Sequence, residues 1–311
     1  MSRKHILSIT GLEPPEICHL TSRAIQIATG QMQGKEPLKG KAVGIYFRKT
    51  STRTRTSFTL GAARLGAAVV TYGPNDLQIN TGETIQDTAL VLSNYLDALV
   101  LRTAESIEEM NIMAGQERMS IINAMSDQEH PTQALADLAT LQEHFGHLQG
   151  LHVLYLGEGN STAAALALAM SKVRNMRLTL LTPQGYGLPP EILQQSLVFA
   201  QRYHAHIKQY HDLKYLPKNV DAVYTARWQT TGSSKADPEW REYFQPFRVT
   251  QAIMDHVSRS TGTIFMHDLP AVRDEDVCSE VLDGPQSIAF HQAHNKLFSA
   301  MAILEWCLLD L

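Results

Sequence analysis

The sequence predicts an α/β protein of two Rossmann-like domains, each a parallel sheet covered by helices. Three observations predict it. Short aliphatic or β-branched runs, such as Lys41–Phe47 and Leu151–Leu156, alternate with longer stretches of helical periodicity. The turns between them are short, as expected of parallel strands with helices on both faces. The alternation halts at a polar, glycine-flanked link, Gly146–Gly150, and then restarts. The 311 residues are enough for two domains at about 150 residues each. The expected extents are 1–148, joined by the C-terminal helix 295–311, and 149–294.

In chain order, Lys41–Phe47 reads as a buried strand. It leads into a helix from Ser51, with Phe58, Ala62 and Leu65 at helical spacing and Gly66 as its stop. Ala67–Tyr72 is the next strand, Glu83–Asn94 a helix and Ala98–Arg102 a strand. His130-Pro131 opens a helix that runs to about Phe145, because proline at the first helical position gives up only an N–H that would be unpaired anyway. After the link come strand Leu151–Leu156, a Gly-Glu-Gly-Asn-Ser-Thr turn and helix Ala163–Ser171. Strand Arg177–Leu181, helix Pro190–Tyr203 and strand Ala222–Thr225 follow. An apolar helix, Asn295–Leu311, closes the chain.

Composition narrows the function classes. Twenty-seven Lys and Arg against 31 Asp and Glu give a net charge of −4, which argues against a polybasic nucleic-acid or membrane-surface protein. Hydrophobic content of 44% with 19% charged residues argues against disorder. Cys18, Cys278 and Cys307 are too few and too scattered for a disulfide framework or a metal site, so they read as reduced, small buried hydrophobes. The longest apolar run, Ala163–Met170, is far below the ~20 residues that span a bilayer. The first residues lack the apolar core of a signal peptide. A soluble cytoplasmic protein is expected.

Three strings carry chemistry. Ser51-Thr52-Arg53-Thr54-Arg55 follows a strand and opens a helix. A helix start offers unpaired N–H groups and positive potential, and hydroxyls and a guanidinium add phosphate ligands. The same string also reads as an ordinary Ser/Thr cap with two solvated arginines. His130 and Gln133 stand three apart at a helix start and share a face, where they read either as ligands of a carbonyl and an amide or as a cap and a solvated side chain. Arg102 ends a parallel strand, where ligands bind in such sheets, although a strand-end charge can also be merely exposed.

Together, FRKTSTRTRTSF, DALVLR and HPTQALADL, in this order and spacing, resemble the carbamoyltransferases of the aspartate and ornithine type. FMHDLPAVRDEDV and VLDGPQSIAF extend the resemblance, which favours the ornithine branch, almost to the C-terminus. The resemblance implies two α/β domains with the active site between them, and a homotrimer or a multiple of it, completed by a loop from the neighbouring subunit. The implied substrates are carbamoyl phosphate and a small amine, with no metal or other cofactor. It implies that Ser51, Thr52, Arg53 and Thr54 hold the phosphate. Arg102 and His130 contact the carbonyl oxygen, Gln133 the amide, and the Leu269 backbone carbonyl the carbamoyl nitrogen. Lys296 stands where the ornithine branch has arginine, and Gln78 of the neighbouring subunit is the swinging loop's contribution. Arg53, Arg102, His130 and Asp268 are the expected catalytic residues.

The acceptor side departs from that pattern. Ala226 replaces the aspartate that grips an α-amino group, and Thr230-Thr231 replace Ser-Met ahead of Gly232. Arg227 and Gln229 resemble an Arg-x-Gln triplet of the aspartate branch. The turn at Asn160 resembles the ornithine branch, so Asn160 is expected to contact the amino acid. Asp268 replaces the branch's cysteine; it reads either as a base or clamp for the amine, or as a partner of Arg273. The expected acceptor site is Asn160, Arg227, Gln229, Thr230 and Asp268. Ornithine is the leading acceptor, with a non-standard amine or an aspartate-type acceptor as alternatives. A catalytically silent, regulatory relative and a nucleotide-binding Rossmann-type protein are the competing classes.

Overall fold

The computed structural model describes residues 3–31, 36–103, 105–230 and 234–309. The chain divides into two compact units, 1–139 with 294–311, and 140–293. In chain order the elements are α1 (Pro14–Ala28), β1 (Ala42–Phe47), α2 (Arg53–Arg64), β2 (Ala68–Tyr72), α3 (Ile85–Leu92), β3 (Ala98–Arg102), α4 (Glu108–Ala114), β4 (Ser120–Asn123) and α5 (Pro131–Phe145). There follow β5 (His152–Leu156), α6 (Ser161–Ser171), β6 (Arg177–Leu181), α7 (Pro190–Tyr203), β7 (His206–Tyr210), β8 (Ala222–Thr225), α8 (Trp240–Phe244), α9 (Gln251–Val257), β9 (Ile264–His267), α10 (Ser279–Leu282) and α11 (Ala289–Leu308).

Both sheets are wholly parallel. The first has strand order β2-β1-β3-β4, and the second β7-β6-β5-β8-β9. In each, the order reverses beside the unit's first strand, between β1 and β3 and between β5 and β8. Such a reversal leaves a crevice at the carboxyl ends of the strands. The central strands β3, β5 and β8 are buried along their whole length, as expected of mainly apolar strands in a parallel sheet, and the edge strand β4 is buried as well.

In the first unit, α11 is fixed by a buried two-point ion pair. Arg23 Nε and Nη2 of α1 donate to Glu305 at 2.6 and 3.1 Å. Removing one partner of such a pair strands a buried charge, at a cost of about 3–5 kcal/mol. Helix α11 also crosses close to α2 at Gly61, where a Cβ would stand 3.1 Å from the Met301 side chain. In the second unit every residue of α6 is buried, because its run of alanines and leucines has no polar face.

Several expectations need correction. Helix α11 starts at Ala289, six residues before the expected Asn295, so Asn295 and Lys296 lie inside it. Helix α1, with its Glu13/Glu16 capping box and the buried stripe Ile17, Leu20, Ala24 and Ile27, was not anticipated. Nor were α4, β4, β7 and β9. Only Cys307 is a buried cysteine, its thiol pushed up to about 12 by burial. Cys278 is half-buried and Cys18 exposed. No helix among the described residues is long and apolar enough to cross a membrane.

At the amino end of β5, His152 Nε2 meets Thr179 Oγ1 at 3.0 Å, and its N–H donates to Asp221 at 2.7 Å. Burial and the nearby Arg177 push the imidazole down to about 4. Between pH 6.5 and about 4 the unfolded chain binds a proton here that the folded chain refuses, so stability falls as pH drops through that window. His152→Gln keeps an amide near Thr179 without titrating. The expected outcome is a flatter dependence of the urea midpoint on pH across that window than in the parent protein.

Candidate active site

In the first unit the reactive side chains gather where β1 and β3 end. Phe47 pairs with Arg102 in register, and the Arg48 N–H donates to the Arg102 carbonyl at 3.0 Å. Helix α2 begins six residues after Phe47. Thr54 is buried in its first turn, Ser51 and Arg53 are half-buried, and Thr52 is exposed. Thr52 occupies the N-cap position with no side-chain cap bond, while Ser51 Oγ accepts the Arg55 N–H at 3.3 Å. Two neighbouring arginines serve the framework. Arg48 donates to Tyr46 Oη at 2.9 Å, to Glu105 at 3.0 Å and to Glu109. Arg55 lies over the Phe47 ring and donates to the Phe47 carbonyl at 3.3 Å. Arg53 stands at the helix start itself, where macrodipole and guanidinium reinforce each other toward an anion.

Helix α5 supplies the second group. Pro131 occupies its first position, and His130 just ahead of it is 4% exposed. Gln133 Nε2 donates to Asp137 at 2.8 Å, and Lys296 Nζ of α11 donates to Gln133 Oε1. Gln133, Asp137 and Lys296 are all buried. Burial first, then the charges of Lys296 and Arg102, hold the His130 imidazole well below its ordinary pKa. The result is a neutral imidazole set beside two fixed cations, an arrangement suited to negative charge building on a substrate oxygen. Asp137 was missed from sequence, although it stands four residues after Gln133 on the same helical face.

In the second unit, β5, β8 and β9 end in line through Leu156, Thr225 and His267. Asn160 caps α6: its Oδ1 accepts the Thr162 and Ala163 N–H groups at 3.1 Å each. Its carbonyl oxygen is therefore spent on the helix. The Thr162 hydroxyl donates to Asp268 Oδ2 at 2.9 Å, and Asp268 Oδ1 lies 3.4 Å from His267 Nδ1. The expected alternative pairing of Asp268 with Arg273 is overturned, because Arg273 forks onto Asp283 instead. Leu269, half-buried, adopts a left-handed backbone at φ 52°, a conformation that costs a non-glycine residue about 1–2 kcal/mol. Its N–H donates to His267 Nδ1 at 2.8 Å. His267 and its partner Asp276 were also missed, since the intervening loop brings together residues nine apart.

Beyond β8, Ala226 is buried, and Arg227, Gln229 and Thr230 are half-buried. Thr231 and Gly232 lie outside the described residues. Trp228 is fully buried in a cluster with Trp240 and Phe244. Lys235 pairs with Glu158 of the turn after β5, and its ammonium sits 5.0–5.2 Å from the Tyr186, Trp240 and Phe244 rings. Burial raises the Glu158 pKa, although Lys235 pulls against it. Gln78 is exposed in a single 3-10 turn, where the Thr81 hydroxyl donates to its side-chain oxygen at 2.6 Å. Among the described residues no group of His, Cys, Asp and Glu has the arrangement of a metal site.

Two wholly parallel α/β units, the first carrying a buried, neutral His130 near Arg102 and Lys296, define a two-unit α/β protein. Comparison with known proteins specifies the class. Residues 4–143 match the model of the aspartate/ornithine carbamoyltransferase carbamoyl-P binding domain, and residues 149–307 that of the Asp/Orn binding domain. The chain belongs to the aspartate/ornithine carbamoyltransferase family. It is 36% identical over 305 residues to an ornithine carbamoyltransferase of Bacillus thuringiensis, covering 98% of this chain and 94% of that one. It is 35% identical over 300 residues to one of Methanobrevibacter smithii, covering 96% and 98%. The solved ornithine carbamoyltransferase of Pyrococcus furiosus superposes with a TM-score of 0.91 at 32% identity, covering 100% of this chain and 98% of that one.

The electrostatics of His130 are testable. Lys296→Met preserves volume but removes the cation. The His130 pKa then rises, yet stays below the ordinary histidine value because burial is the larger cause. Nuclear magnetic resonance titration of the imidazole reads this directly; an unchanged pKa means that Lys296 does not reach the ring. Gln133 Oε1 also loses its buried donor, for a destabilisation of about 1–3 kcal/mol.

Proposed function

We propose that this chain transfers the carbamoyl group of carbamoyl phosphate to the primary amine of an ornithine-like acceptor. The observation that carries this reading is the neutral, buried His130 beside Arg102, Lys296 and Gln133 at the strand ends of the first unit. In the reaction, an uncharged amine attacks the carbamoyl carbon and negative charge builds on its oxygen. The carbon–oxygen bond to phosphate then breaks, and phosphate leaves with its electron pair and takes up the proton that the amine gives up. His130, Arg102 and the Thr54 hydroxyl receive the charge on the carbonyl oxygen. Ser51, Thr52, Arg53 and the start of α2 receive the phosphate. Gln133 reads the carbamoyl amide.

The acceptor is recognised by the second unit. Asn160, through its amide nitrogen, with Arg227, Gln229, Thr230 and Asp268, forms the proposed acceptor set. Buried Ala226 gives an α-ammonium no carboxylate at that place, and Glu158 is already paired with Lys235. This supports an acceptor related to ornithine whose α-substituent is not a simple ammonium, with Asp268 facing the reacting amine. Assembly as a trimer, with Gln78 serving a neighbouring site, is supported by the exposed edge strand β2 and by Leu90, Val91 and Tyr95, all exposed on the first unit.

The protein is incubated with carbamoyl phosphate and a panel holding ornithine, lysine, putrescine, aspartate and N-acylated ornithines, and phosphate and ureido product are both followed. Turnover with one acceptor, lowered about 10²–10³-fold in kcat by Arg102→Leu, is the expected result. Carbamoyl phosphate binding without turnover on any amine favours the silent, regulatory reading instead. Ala226→Asp is expected to raise kcat/KM for free ornithine; unchanged ornithine turnover removes the argument about that position.

A further inference from the structure

The segment ahead of α1 makes contacts that the reaction as described does not use. It lies along β4, the edge strand of the first sheet. Ile6 bridges Ile122 in parallel: its N–H donates to the Ile121 carbonyl at 2.9 Å, and its carbonyl accepts the Asn123 N–H at 2.7 Å. Asn123 Nδ2 donates to the Leu7 carbonyl at 2.8 Å, and its Oδ1 accepts the Met125 N–H at 2.9 Å. The segment then meets Glu129, which is buried and directly precedes His130. The Ser8 hydroxyl donates to Glu129 Oε2, and the Ile9 N–H donates to Oε1 at 2.7 Å. A carboxylate withdrawn from water needs such donors, and hydrogen bonds to an ionised acceptor are among the strong ones. Within the loop between β4 and α5, the Glu129 carbonyl accepts the Ser126 N–H at 3.0 Å and the Ser126 hydroxyl at 3.2 Å. Met125 holds φ 147°, which a residue with a side chain adopts only where its surroundings enforce it. On the far side of His130, its carbonyl accepts the Gln133 N–H at 3.0 Å, and its Nδ1 lies 3.3 Å from the Thr132 hydroxyl. His130 is therefore held by α5 on one side and by Glu129 on the other.

We propose that Glu129 is a positioning residue for His130, and that Ser8 and Ile9 act through it. The carboxylate ties the loop before α5 to backbone 120 residues earlier in the chain, and β4 anchors that backbone in turn. Neither Glu129 nor Ser8 touches substrate. Both act on where the His130 peptide stands and on how completely the loop keeps water from the ring, and all the groups involved belong to the first unit. The role rests on the transfer reaction proposed above, in which His130 receives charge on the carbonyl oxygen. Loss of the tie loosens the loop and weakens binding of carbamoyl phosphate before any amine is present.

Glu129→Leu and Glu129→Gln test the role. Leucine removes both acceptors. Glutamine keeps an oxygen for the Ile9 N–H and turns its NH2 toward the Ser8 hydroxyl, which can accept as well as donate. Calorimetry reports the dissociation constant of carbamoyl phosphate without acceptor, nuclear magnetic resonance titration the His130 pKa, and urea denaturation the stability. In Glu129→Leu the expected affinity is about tenfold weaker. The His130 pKa rises toward its ordinary value, because burial, the largest cause of its depression, is relieved. Glu129→Gln is expected to keep the parent affinity within about twofold. A Glu129→Leu protein that loses stability alone, with the affinity and His130 pKa of the parent, reduces the carboxylate to packing and overturns the role. Equal losses of affinity in the two variants overturn it as well. Should Glu129→Leu not fold, Ser8→Ala decides: it leaves the loop's own sequence intact and is expected to weaken binding about threefold, whereas unchanged binding overturns the role. If the unsubstituted protein binds no carbamoyl phosphate, the transfer reading itself falls, and the His130 titration in the variants still decides whether Glu129 positions the ring.

Discussion

Parallel pairing is the constraint from which the rest of this molecule follows. When all strands of a sheet run one way, every strand-to-helix turn emerges at the same edge. Where the strand order reverses, two adjacent turns lead away in opposite directions and leave their residues facing a common crevice. Here β1 and β3 deliver the Ser51–Arg55 string and Arg102 to one such point, with Phe47 and Arg102 in register. Strands β5 and β8 deliver the Asn160 turn and the Ala226–Thr230 segment to the other, and β9 adds His267 in the same row. Residues 42 or more apart in the chain thus become neighbours by strand register alone.

Within that frame, burial decides which groups carry charge. Around His130, two cations and the loss of water act in the same direction, and the imidazole stays neutral. Around His267 they oppose each other. Burial disfavours the charged ring, but hydrogen bonds to Asp268 and Asp276 outweigh it and raise the pKa. The 2.8 Å approach of the Leu269 N–H requires an unprotonated Nδ1, so the neutral ring is the form this structure holds, and acidification breaks that contact by protonating Nδ1. Two fully or nearly fully buried histidines thus differ in their response to pH because of what lies within hydrogen-bonding reach: cations and a glutamine for one, two carboxylates for the other.

Elements whose local pattern and tertiary environment agree were legible in the sequence. The strands Ala42–Phe47 and Ala98–Arg102 are unbroken apolar runs, and Pro131–Phe145 has a proline start and an apolar face. The elements not read divide into two kinds. Helix α1 carries a local signature, a capping box before a 3,4,3-spaced apolar stripe. Strands β7 (His-Ile-Lys-Gln-Tyr) and β4 (Ser-Ile-Ile-Asn) had little local signal. They are strands because a neighbour offers a parallel ladder, as β6 does for β7 and β3 for β4. The candidate site follows the same division. Ser51–Thr54, Arg102, His130 and Gln133 stand out because motif and element boundary coincide. Asp137, His267 and Asp276 gain their importance only from partners that the fold supplies.

The two units also differ in how they arrange charge, and this bears on why one half of the sequence is easier to interpret than the other. In the first unit, Arg102 and Lys296 lie near the buried His130 and help to hold it neutral. The second unit holds several charges in local pairs. Glu158 is met by Lys235 inside an aromatic cluster, Arg273 by Asp283, and Asp268 by the Thr162 hydroxyl. A helix start constrains sequence tightly wherever hydroxyls, a guanidinium and backbone N–H groups must meet one small anion. Internal pairing constrains it loosely, since carboxylate and cation can be moved together, as pairs, without exposing an uncompensated charge. Side chains that satisfy one another inside a protein can change while the fold remains, so a departure such as Ala226 acquires meaning only beside the pairs that surround it.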